Sequence, residues 1–222
     1  SRYQHFDTLS HRGHTARADW LWAVRRELTG DVGYAEQENL ASFANIQGTT
    51  PDIVKTRQTW LNVAWLVTPS WRAHTALTAG DARHGDPARR INDLEAASAE
   101  VGLSYVTASE NRIGVAARYE EGRSPHSVVL QGIDFDNAYK QASIGAQTRW
   151  VITGHSRLDG RVDYTKRDYE QFQNRNYSGP TARVTYTWTP TGKTTIATTL
   201  YRDVAPLEDI QSRFVLTTGV NI

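Results

Sequence analysis

The chain contains no cysteine and no methionine, which excludes a disulfide framework and any thiolate metal site. An excess of charge is missing too, with 25 Lys and Arg against 24 Asp and Glu. Nothing therefore supplies the sequence-independent electrostatic pull that nucleic acid binding needs. No apolar run approaches the roughly 18 residues of a spanning helix, and no basic segment leads into an apolar stretch at the start, as it would in a secretory leader. A His-Glu-x-x-His pair, a glycine-rich phosphate loop, a nucleophile elbow and a calcium loop are all lacking, so no local motif of catalysis or cofactor binding stands out. On this reading the protein is not an enzyme and needs no cofactor or metal.

What the chain does have is aromatic residues and a period. Seven Trp, ten Tyr and 39% apolar residues argue against disorder, and 222 residues suit a single domain, taken here as residues 1–222. The mean hydropathy of −0.56 reads as water-soluble. A membrane β-barrel gives the same average, because lipid-facing and lumen-facing residues alternate.

The period is two. Ala16, Ala18, Trp20, Trp22 and Val24 alternate with Arg17, Asp19, Leu21, Ala23 and Arg25, which is the pattern of a strand with unlike faces. The same alternation returns through Leu61 to Val67, Trp71 to Ala79, Ala97 to Tyr105, Ile113 to Tyr119, Ala142 to Trp150, Leu158 to Tyr164, Ala182 to Trp188, Ile196 to Leu200 and Phe214 to Ile222. With a weaker first strand over residues 2–8, about twelve strands of the 9–11 residues needed for a tilted crossing are expected.

Connections alternate in length. Short ones are expected at Leu28-Thr29-Gly30-Asp31, Thr68-Pro69-Ser70, Thr107 to Asn111, Thr153-Gly154-His155 and Pro190 to Lys193, all rich in turn residues. Longer polar loops are expected over 36–53, 81–92, 121–137, 166–179 and 203–210. Short turns at one end and long loops at the other describe an antiparallel up-and-down transmembrane β-barrel of the bacterial outer membrane, with the lipid bilayer as its partner.

The aromatics sort by height. Trp22, Trp65, Trp71, Tyr105, Trp150 and Trp188 lie beside short turns on the apolar parity, and Tyr119 and Tyr164 lie toward the long loops, as interfacial girdles should. The alternative is a soluble antiparallel sandwich in which the apolar parity faces a core.

The inward parity is read as Arg17, Asp19, Arg25, Arg57, Arg72, His74, Glu100, Arg118, Glu120, Arg149, Arg157, Asp159, Arg161, Asp163, Arg183 and Arg213. Such a set serves either as a salt-bridged plug or as a hydrated path in which arginine forks hold carboxylate or phosphate groups in passing. In the loops, Phe135, Tyr139, Tyr169, Phe172 and Tyr177 are candidates either for stacking on sugar rings or for pinning the loops. His155-Ser156 has the residue types of a base and nucleophile but no orienting carboxylate nearby in sequence, so a solvated turn is expected there.

Four segments carry a resemblance: Leu40-Ala41-Ser42-Phe43, Ser98-Ala99-Glu100-Val101-Gly102-Leu103, Tyr177-Ser178-Gly179-Pro180-Thr181-Ala182-Arg183, and Trp188-Thr189-Pro190-Thr191-Gly192-Lys193. Together they resemble the EpsL-type outer-membrane barrels that accompany bacterial exopolysaccharide biosynthesis, over residues 2–218. The resemblance implies a channel for polysaccharide export, with periplasmic components of an export system as partners and no set of catalytic residues. Members of that family are longer at both ends, which implies a piece of a larger barrel or a smaller barrel of about twelve strands. A porin for acidic oligosaccharides would fit the same inward residues.

Overall fold

The computed structural model describes residues 13–40, 52–126, 128–130, 133–135, 138–171, 173–205 and 215–221. Eleven strands form one sheet: β1 (Thr15–Ala23), β2 (Leu28–Leu40), β3 (Ile53–Thr68), β4 (Trp71–His84), β5 (Leu94–Val106), β6 (Arg112–Arg123), β9 (Tyr139–Thr153), β10 (Ser156–Tyr169), β11 (Tyr177–Thr191), β12 (Thr194–Ala205) and β13 (Val215–Asn221). The hairpin of β7 (Val128–Leu130) and β8 (Ile133–Phe135) stands apart, inside the connection between β6 and β9. Each strand of the large sheet pairs antiparallel with the next in chain order, which is the up-and-down topology expected. Of the strands read from the sequence, the one over residues 2–8 lies outside the described residues, as do Arg213, Phe172 and the Ala41-Ser42-Phe43 segment. Of Phe135 only its place in β8 is described.

One connection differs from expectation. The first tight turn falls at Val24-Arg25-Arg26-Glu27, and Leu28 already begins β2. Gly30, which reads as a turn glycine, pairs instead with Trp22. A Cβ on Gly30 would stand 2.3 Å from Trp22 Cζ2, so its role is to let the indole lie flat on the neighbouring strand. The long-loop side is also shorter than expected, because β3 reaches 16 residues and β9 and β11 each reach 15, more than a membrane crossing uses.

Contacts between strands that are not neighbours reveal the curvature. Arg161 on β10 donates to Glu100 on β5, and Gln147 on β9 lies 3.5 Å from the His74 ring on β4. Each pair is three places apart in the strand order, a span of roughly 14 Å at 4.8 Å per strand. Side chains bridge it only on the inside of a curved sheet. The polar parity is therefore concave and the apolar parity convex.

Among the described residues no second layer covers the convex face. Val101 is 59% exposed and Ile144 64%, and they lie at similar height, joined through the pairs Val101↔Ala117 and Ala117↔Ile144. A soluble sandwich would bury these positions, so that alternative is set aside.

The convex face ends abruptly in charge. Along β5 it runs Tyr105, Leu103, Val101, Ala99, Ala97 and then Glu95. The ten residue steps from Tyr105 to Glu95, each of roughly 3.3 Å and tilted about 40°, make a band of roughly 25 Å, the height of an outer-membrane apolar belt. Neighbouring strands change over at the same level, through the register Glu36↔Arg57, Arg57↔Asp81, Asp81↔Glu95 and Glu95↔Arg123. These groups pair with one another: Arg57 Nε to Glu36 at 3.3 Å and Arg123 Nη2 to Glu95 at 2.7 Å.

Candidate functional site: the arginine-lined concave face

A cavity of about 610 Å³ lies against the concave face of β4 to β6 and β9 to β12, with Arg72, His74, Arg112, Arg118, Arg149, Arg161 and Arg183 in its wall. Asp159, Asp163 and Asp203 are the acids lining it, so cations outnumber acids at its surface. Period two explains the assembly: each arginine sits on the parity opposite the belt, and curvature turns that parity toward one space.

The charges interlock in short runs. Glu100 receives both Arg161 and His74, the latter at 3.2 Å, and Arg161 Nε also donates to Asp163 at 2.6 Å. Arg118 holds Glu120 at 2.8 Å, and Glu120 accepts Tyr139 Oη at 2.8 Å. Arg149 and Arg157 share Asp159 at 2.8 and 2.6 Å, and Arg183 reaches Asp203 at 3.3 Å. Between these ion pairs runs a row of hydroxyls, Ser143 to Thr165 at 3.1 Å and Thr165 to Thr181 at 2.8 Å. A row of hydroxyls offers weak, exchangeable hydrogen bonds of the kind a sugar chain can use.

Glycines set the depth of this face. Gly102 pairs with His74, and a Cβ there would lie 2.1 Å from His74 Cε1. Gly33 pairs with Trp60, and a Cβ would lie 2.2 Å from Trp60 Cζ2. Each ring lies flat against the neighbouring strand.

The structure sorts the residues expected from the sequence. Arg17, Arg72, His74, Arg118, Arg149, Arg157, Arg161 and Arg183 are on the concave parity. Arg17 lies at the end away from the cavity, binding Asp19 at 2.8 Å and stacking 4.7 Å over Trp60. Two assignments are corrected. Arg25 belongs to the turn before β2 and not to the lumen. Arg57 shares its parity with Leu61 and Trp65, so it faces outward in the charged rim above the belt.

The girdle residues Trp65, Trp71, Tyr105, Tyr119, Trp150, Tyr164 and Trp188 are exposed on the convex face, while Trp22 is half-buried over Gly30. Trp71 and Tyr105 meet edge to face at 5.6 Å. Tyr139, Tyr169 and Tyr177 are buried. The Tyr139 and Tyr169 rings lie 5.7 Å apart with Arg167 stacked 4.3 Å over Tyr139, so they fasten the long-loop ends and offer no open platform. Ser156 bonds to Thr153 at 2.7 Å, which ties its hydroxyl into the turn.

Arg112 and Trp60 were not singled out in the sequence, yet parity marks both, since each directly precedes an outward residue, Ile113 and Leu61. Trp60 Nε1 donates to Asp31 at 2.9 Å, as does Asn62 Nδ2. On the long-loop side the fully buried Asp52 accepts the Asp86 amide at 2.9 Å and faces Arg89 at 3.5 Å. His84 and His126 both reach Asp93, at 3.1 and 3.0 Å. That knot anchors the connection after β4.

No family model and no curated protein matches the chain. Among solved structures it is similar to the copper transporter OprC, at 13% identity and a TM-score of 0.47 over 86% of this chain and 36% of that one. It is also similar to the alcaligin outer membrane receptor FauA from Bordetella pertussis, at 13% identity and a TM-score of 0.43 over 88% and 36%. The chain thus spans about a third of the length of these proteins. An exposed apolar belt bounded by aromatic rings, with a polar concave face behind it, is what a barrel wall in lipid requires. The described strands are the wall of an outer-membrane β-barrel.

Proposed function

We propose that this chain forms the wall of an outer-membrane channel that passes an anionic polysaccharide. The observation that carries the reading is the cavity wall, in which six concave-face arginines, His74 and three aspartates face one space with a row of hydroxyls between them. Arginine forks bind carboxylate or phosphate groups, and interleaved acids keep each hold brief, so a chain can move from one fork to the next. The four segments that resemble EpsL-type barrels support an exopolysaccharide as the cargo. The outer edges of β1 and β13 do not pair with each other among the described residues. Open edges are not tolerated in hydrocarbon, so the proposed channel requires both edges to be paired in the membrane.

In planar bilayers the intact barrel is expected to prefer anions, and a hexuronate oligomer is expected to block its current where a neutral oligosaccharide of equal length does not. Arg161 and Arg183 face each other in the register of β10 and β11, so replacing both with Gln should move the reversal potential toward zero. Cation preference in the native protein, or a reversal potential unmoved by the double substitution, would put these arginines in a plug.

A further inference from the structure

At the short-turn end of the cavity, three arginines come together with too few acids. Arg112 on β6 and Arg149 on β9 are direct register partners, an arrangement of like charges that repels across the strand pair. Arg72 on β4, just past the Pro69-Ser70 turn, lines the same cavity. Asp159, the acid paired in register with Arg149, is already shared between Arg149 and Arg157. Arg72 Nε and Arg112 Nε are both buried, with no hydrogen-bond partner among the described residues. Beside them Ser104 and Gln147, 3.4 Å apart, add neutral polar groups to the same wall.

Buried N–H donors on charged groups are costly when unpaired, and a guanidinium offers five donors in a planar fork. The ligand chemistry that answers three such forks is an oxyanion with oxygens on several sides. We propose that Arg72, Arg112 and Arg149 form a binding site for a carboxylate or phosphate group at the short-turn entrance of the lumen. The site deepens the transport reading and rests on it for the direction of traffic: it is where an acidic chain would first be gripped. Its donors serve either a free oxyanion or one carried on a polymer.

The test is titration of the detergent-solubilised barrel with inorganic phosphate and, separately, with a hexuronate trimer, alongside thermal unfolding in phosphate and in phosphate-free buffer. Both ligands should bind and compete. Arg112→Gln and Arg72→Gln should each weaken binding at least tenfold and remove the stabilisation by phosphate. In phosphate-free buffer Arg112→Gln should unfold at a higher temperature than the native protein, since it relieves repulsion, and this result separates a binding site from a merely structural arginine. Arg57→Gln, on the outer rim, should leave binding unchanged. Phosphate binding without trimer binding would support the site while overturning the polymer reading. Failure of the native protein to bind either ligand, or binding that survives both substitutions, would overturn the site, and an anion-selective current in that case would leave the transport reading standing.

Discussion

Val101→Arg is expected to destabilise the folded barrel by about 2–4 kcal/mol, the cost of a guanidinium near the middle of the apolar belt. Val101 stands on β5 midway between Tyr105 and Glu95, 59% exposed with no protein over it among the described residues, so the introduced charge meets lipid and can escape only by bending far along the strand. Ile144→Arg, at similar height on β9 and 64% exposed, should behave alike. The comparison is Ser98→Arg, on the concave parity of the same strand and beside the Arg118–Glu120 pair, where lumenal water receives the charge and the cost should stay well below that at Val101. Gly145 is a poor choice for that comparison despite its inward parity, because a Cβ would fall 2.0 Å from the Val162 carbonyl oxygen. Unfolding in urea, followed by the difference in gel mobility between heated and unheated samples, reads the effect. Equal penalties at Val101 and Ser98 would reverse or erase the assignment of the two faces.

Gly33→Val should cost a comparable amount for a different reason. The Trp60 ring occupies the space above Gly33, within 2.2 Å of where a Cβ would stand, and it cannot stay flat once a branched side chain fills that space. Lifting the ring breaks its 2.9 Å hydrogen bond to Asp31 and removes the surface over which Arg17 stacks at 4.7 Å. Overpacking of about 1–3 kcal/mol, a lost hydrogen bond of about 1 and a lost cation–π contact of about 0.5–1 together predict a loss of about 2.5–5 kcal/mol. In a Trp60→Ala background the same substitution should cost far less, because the collision is gone and β-branched Val suits a strand. An undiminished cost there would show that Gly33 is needed for its backbone and not for the ring it accommodates.

Most of the fold was legible because its cause is local. Alternation along a strand depends on which side of the backbone each residue points to, and that is set by neighbours one and two positions away. The strand from Ile113 to Tyr119 and the one from Ala142 to Trp150 could therefore be read with their faces and their girdle residues. Two misreadings have physical causes. Gly30 looked like part of a turn because glycine usually marks one, but its lack of a side chain serves the Trp22 indole, and the chain bends instead through Val24 to Glu27, which contains neither glycine nor proline. Arg57 was assigned inward because it is charged. That inference holds only within the hydrocarbon belt, and β3 continues above it, where outward parity meets headgroups and water.

The sequence by itself determined the strands, the two unlike faces and the belt between aromatic girdles, since each follows from short-range periodicity. Tertiary structure alone decided which concave residues meet. Arg161 and Glu100 are 61 positions apart, and Gln147 and His74 are 73 apart; only the curling of the sheet, a sum of small twists over successive strand pairs, brings them together. The same curvature gathers Arg72, Arg112 and Arg149 at one end of the lumen. No spacing along the chain encodes that meeting, because it depends on the register of every strand between them.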